Sequence, residues 1–149
     1  MAKKVIPIKE DYITFTIPKG TSLKSLDKAN PKLFHGQDWY KDEPWFKKET
    51  TKTKTVHLLK GAKEGSFDKT FAEQKKLLNN GEYVPTTLEI IYGMAEHMGK
   101  TGKRLFSDCR VRTNNISTDG DRARVGFDSD GVVVYRGWDD GRYSDLGLA

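Results

Sequence analysis

The chain is short of exactly the residues that would make several function classes easy to assign.

 It has one cysteine, Cys109, so no intramolecular disulfide is available and the chain does not read as a disulfide-stapled secreted scaffold. A lone thiol of this kind is expected to be a small half-buried residue, not a nucleophile. No apolar run approaches the roughly 18 residues of a membrane span. The first residues, with Lys3 and Lys4 followed by an apolar stretch interrupted at Pro7, are too short and too broken to form a signal-peptide core. The expectation is a soluble chain, cytoplasmic when synthesised, with later display on a cell surface or virion left open.

Catalytic and metal signatures are also missing. The three histidines, His35, His57 and His97, are scattered, and no second cysteine accompanies Cys109, so zinc-ligand spacing is absent. No Gly-x-Ser-x-Gly occurs, and the segment from Gly93 to Thr101 differs from a phosphate-binding loop in spacing and in its helical setting. The chain therefore reads as a non-enzyme with no cofactor. Aspartates 119, 121, 128, 130, 139 and 140 include hard oxygen ligands that suit calcium, but Gly126 stands where an EF-hand needs its first ligand, so turn formation and partner contact are favoured over a metal site.

What is present is divided unevenly. All 19 lysines lie before position 104 and all 7 arginines at or after it; the 8 glutamates, both glutamines and the 3 methionines also lie before it. The first 103 residues carry a formal charge of +6 and the last 46 carry −1. Arginine has a rigid planar fork suited to bidentate pairing and aromatic stacking, and Tyr, Ser, Gly, Asn and Asp are the residues of adaptable contact surfaces. Those preferences leave the missing Glu and Gln unexplained. Randomising the adenines of an Asn codon of the form A-A-pyrimidine reaches every residue type except Lys, Glu, Gln, Met and Trp, and Trp138 alone in the tail lies outside that set.

Periodicity predicts a strand over 11–17, with Ile13, Phe15 and Ile17 on one face, and a second over 54–60. Residues 21–54 read as a long loop held by aromatic anchors. Helices are predicted from about Asp68 to Asn79 and from Thr86, where Thr86 and Glu89 form a capping box and Leu88, Ile91, Tyr92, Ala95 and Met98 mark the buried face. Short strands follow at 109–113, 122–127, 132–135 and 146–148, separated by Asp-Gly turns. Strand, helix, helix and many short strands imply an α+β domain, 1–149, with two helices packed on short antiparallel sheets.

The helices, the short strands and the adenine-mutable tail, with Arg112-Thr-Asn-Asn115, Arg122-Ala-Arg-Val-Gly-Phe-Asp-Ser-Asp-Gly131 and Trp138-Asp-Asp140, resemble the variable proteins of diversity-generating retroelements. That resemblance implies a C-type-lectin-like fold with a loop-rich C-terminal half. It divides the domain into a Lys-rich framework, 1–103, and a variable, ligand-contacting region, 104–149. It makes Val125, Gly126, Gly131, Val132, Val134, Trp138, Leu146 and Gly147 the scaffold, with Trp138 expected to be buried. Display positions would be Asn114, Asn115, Ser117, Asp119, Asp121, Asp128, Asp130, Tyr135, Arg136, Asp139, Asp140, Arg142, Tyr143, Ser144 and Asp145. The implied ligand is a protein or other macromolecule. A rival reading is a nucleic-acid-binding module that uses the Lys-rich part, but Asp38, Asp42, Glu43 and Glu49 lie among the lysines and aromatics there and dilute the field.

Overall fold

The computed structural model describes residues 12–30, 33, 39–106, 109–128 and 131–149. The chain begins with β1 (Tyr12–Ile17), α1 (Leu23–Ala29), α2 (Pro44–Lys47) and β2 (Lys54–Leu59). Next come α3 (Phe71–Lys75) and α4 (Thr87–Thr101), and then β3 (Arg110–Ile116), β4 (Arg122–Asp128), β5 (Gly131–Gly137) and β6 (Leu146–Gly147). This is an α+β arrangement with two sheets among the described residues. It has more helix than the sequence reading allowed.

The additional helices have local causes. Ser22 caps α1 and exchanges hydrogen bonds with Ser25, while Leu23 and Leu26 turn inward. Pro44 opens α2, where its fixed φ suits the first turn, and Phe46 is buried. Residues 21–54 are thus not a long loop. Conversely, α3 is one short turn and a half instead of a helix over 68–79. Asp68 has φ +57, outside helical space, and the start is set at Thr70, whose side chain accepts from the Glu73 N–H.

The capping box at Thr86 and Glu89 is present in α4, and Gly102 closes the helix with φ +71. Its buried face is rotated from the expected one: Ile90, Ile91, Gly93 and Met94 are buried, whereas Leu88, Tyr92 and Ala95 are half-buried at its edge. The rotation follows from α4 touching both sheets, so the inner face must be wider than one apolar stripe. Burial alone would push the Glu89 carboxyl up, but bonds from the Thr86 N–H, Lys54 and Tyr83 outweigh it and hold the group below the usual range.

β1 and β2 pair antiparallel, setting Ile13 against Leu58 and Phe15 against Val56. The second sheet has the order β5-β4-β3-β6; β6 runs parallel to β3, so this sheet is mixed instead of purely antiparallel. One face, with Val111, Ala123, Val125, Val132 and Val134, joins Phe15, Ile17, Val56, Leu58 and α4 in a single core. The expected scaffold residues Val125, Gly126, Gly131, Val132, Val134, Leu146 and Gly147 are all buried.

Two measurements test this packing. In Gly93→Ala, the new methyl would lie 2.8 Å from both Leu58 Cδ2 and Phe15 Cε1. Overpacking of about 1–3 kcal/mol should exceed the gain of up to about 1 kcal/mol in helix propensity, so urea unfolding should show a net loss. Glu89, with its depressed folded pKa, contributes stability above its unfolded value that disappears as pH falls through the folded one. Glu89→Gln should therefore flatten the acid side of the stability profile measured between pH 6 and about 3.

Candidate functional site

Alternation along Arg110–Thr113 of β3 and along β4 sends Val111, Ala123 and Val125 to the core and the arginines to the opposite face, before a bulge breaks the register between Arg112 and Ile116. The register places Arg110 beside Gly126 and Arg112 beside Arg124; Arg124 in turn faces Tyr135, and Arg122 faces Gly137. That face is covered by α3 and by the segment 138–148. Arg112 is fully buried, while Arg122 and Arg124 are 7% and 6% exposed.

Arg112 ties the covering segments together. Its Nη1 donates to the Lys69 carbonyl and to Gln74 Oε1, both at 2.9 Å, and its Nη2 donates to the carbonyls of Gly141 at 2.7 Å and Trp138 at 3.4 Å. Burial first, and the neighbouring Arg124 charge second, push its pKa down to about 10, so it remains a cation at neutral pH. Gln74 is itself fully buried and donates to the carbonyls of Ser66 and Leu146.

The other arginines extend the clamp. Arg122 grips Asp139 bidentately at 2.6 and 3.0 Å, donates to the Thr113 carbonyl and stacks 3.7 Å from the Phe71 ring centroid. Arg124 donates to the Trp138 carbonyl and lies over the Tyr143 ring. A Cβ at Gly137 would displace the Arg124 guanidinium from this position. Arg110 Nη2 donates to both carboxylate oxygens of Asp145, at 2.9 and 3.0 Å, and the guanidinium lies over Tyr135. Main-chain bonds from Phe71 N to Asp139 O and from Asp68 N to Tyr143 O complete the seam.

The result is a loop, 138–145, whose backbone is fixed and whose side chains stand outward. Trp138 is 74% exposed and Tyr143 40% exposed. The expectation that Trp138 is buried scaffold is therefore wrong: Arg112 and Arg124 use its carbonyl, which leaves the indole outside. Asp140, Arg142, Ser144 and Asp145 are exposed with it, and Arg142 reaches Glu73 at 3.1 Å. Asp139 is used by Arg122 but remains 45% exposed in its side chain.

The remaining display positions divide. Arg136 and Asp119 are exposed and pair at 3.2 Å, with Arg136 also over Trp39. Asn114 is exposed, and Asp121 and Tyr135 are half-buried. Asn115 is half-buried and its Oδ1 accepts from the Thr87 N–H, tying the tail to the start of α4. Ser117 is only 4% exposed, and its hydroxyl accepts from the Asp121 N–H to shape the following turn, which removes it from the exposed set. The Asp128 side chain and Asp130 lie outside the described residues. No group of three or more potential metal ligands occurs among the described residues, and no helix among them is long and apolar enough to cross a membrane.

Sequence reasoning missed Phe71, Gln74 and Glu43 as partners of the tail. Glu43 is buried and accepts from the Thr118 N–H at 2.9 Å. No local pattern marks Gln74, but the alternation Arg-Val-Arg and Arg-Ala-Arg-Val is a signal that could have placed four arginines on one face. No protein-family profile, curated protein or solved structure matches this chain.

Because lysine cannot reproduce the planar fork, Arg112→Lys should behave like Arg112→Ala and cost about 3 kcal/mol, the lower end for leaving buried polar partners unpaired. Hydrogen exchange should then accelerate at the amides of Asp68 and Phe71, whose acceptors belong to the released loop.

Proposed function

We propose that this protein is a binding module of C-type-lectin-like architecture whose region 104–149 is diversified by a retroelement to contact varied macromolecular ligands. The observation that carries the reading is the loop 138–145, held at its carbonyls and two of its carboxylates while Trp138, Asp140, Arg142, Tyr143 and Ser144 remain exposed. Fixing the backbone through groups common to every residue frees the side chains to change without losing the scaffold. The partition of Lys, Glu, Gln and Met away from the tail supports the same reading, because adenine mutagenesis of Asn codons cannot produce them.

Within that surface Trp138 becomes a constant aromatic anchor set among variable neighbours. Tyr143 and Arg142 supply the other contacts of the kind that dominate hot spots. The helices against two short sheets, followed by a tail rich in turns, suit the lectin-like architecture.

The proposal is tested at the gene and in the protein. The locus should carry a reverse transcriptase and a near-identical template repeat that differs only at adenines; a locus without them overturns the retroelement origin. Replacing Asp140, Arg142 and Ser144 together by alanine should change Tm by no more than a few degrees, as for surface substitutions. Unfolding of that variant would place the loop in the core and defeat the display reading.

A further inference from the structure

A cleft of about 330 Å³ lies away from this loop, where the segment 45–54 meets the start of α4. The volume falls at the lower end of the range of about 300–1,000 Å³ typical of small-molecule sites. Ile17, Trp45 and Leu88 form its apolar walls, with Lys48 and Lys52 on its rim and Asn115 at the edge contributed by the tail. The indole of Trp45 is fixed, since its Nε1 donates to the Ile116 carbonyl at 3.1 Å and its ring meets Trp39 edge-on at 6.3 Å. A flat, rigid wall of this kind suits a flat apolar ligand.

The available charge decides the rest. Lys54 and Glu89 also line the cleft but are committed to one another at 2.9 Å, and Glu89 further accepts from Tyr83 and from the Thr86 N–H. Lys48, Glu49 and Lys52 have no ion pair among the described residues, so two ammonium groups face one carboxylate. The Asn115 Oδ1 is occupied by the Thr87 N–H, which leaves its amide NH₂ to donate. Donors and positive charge therefore exceed acceptors around an apolar floor. A neighbouring cleft of about 350 Å³ lacks this imbalance, because Lys63 there is paired with Glu82 at 2.8 Å and Lys54 with Glu89.

We propose that the Trp45 cleft binds a small organic anion with a planar apolar body, an aromatic carboxylate being the chemical class that fits. The ring lies against Trp45, Ile17 and Leu88, and the carboxylate is held by Lys48, Lys52 and the Asn115 amide.

The test titrates the full chain with naphthoate, with neutral naphthalenemethanol and with cationic naphthylmethylammonium, following the indole N–H resonance of Trp45. Naphthoate should bind saturably at one site and the cation should not bind. Lys48→Ala with Lys52→Ala, both at exposed positions, should weaken naphthoate about tenfold, the loss of two partly screened charge contacts. Leu88→Phe should obstruct the cleft. Absence of saturable binding, equal binding of the three probes, or unchanged naphthoate affinity in the lysine variant would each overturn the proposal. The lysine variant keeps the test decisive should Leu88→Phe fail to fold.

Discussion

One buried guanidinium organises the C-terminal third of the molecule. Arg112 receives no carboxylate; the carbonyls of Lys69, Trp138 and Gly141 and the side-chain oxygen of Gln74 surround it instead. Moving a full charge out of water is unfavourable unless its donors are met, and here four acceptors from two segments, Lys69–Gln74 and Trp138–Gly141, meet the terminal nitrogens, leaving only Nε unpaired among the described residues. The arrangement is therefore mutually dependent. α3 fixes Gln74, Gln74 fixes the approach to β6, and the carbonyls of the loop are drawn to the cation that both would otherwise leave exposed.

This clamp explains why the tail uses arginine where lysine would also supply charge. A lysine presents three donors from one point, whereas the guanidinium reaches Lys69 and Gln74 on one side and Gly141 on the other. Arg122 applies the fork to Asp139 with Phe71 beneath it, whereas Arg110 reaches both oxygens of Asp145 from Nη2 alone. Composition alone had assigned arginine to partner contact. Four of the seven, Arg110, Arg112, Arg122 and Arg124, instead build the platform on which the outward side chains stand.

Local rules made much of the fold legible. Alternation located β1 and the strands of the tail, and the Thr86–Glu89 box located α4, because those signals arise within a few residues of one another. The short helices α1 and α2 escaped because polar, Lys-rich surroundings mask apolar positions as sparse as Leu23, Leu26 and Phe46. Of the site, the turn-rich loop was readable and its orientation was not. Whether Trp138 points in or out depends on which atoms Arg112 and Arg124 engage, and that is fixed by α3, far away in sequence. Ser117 was misread for a related reason: short polar side chains suit both display and the capping of neighbouring backbone, and only the approach of Asp121 decides.

The parallel pairing of β6 with β3 carries a kinetic consequence. Arg110 and Leu146 are separated in the chain by β4 and β5, which lie on the other side of β3, so this pairing encloses a large loop and raises the contact order of the sheet. The β3–β4–β5 meander joins near neighbours in the chain, while the seam through Gln74, Leu146 and Leu148 joins segments far apart in it. Until it closes, the arginine face is open to water, where its charge costs nothing. Release of the outward loop from the platform therefore requires the simultaneous loss of its bonds to Arg112.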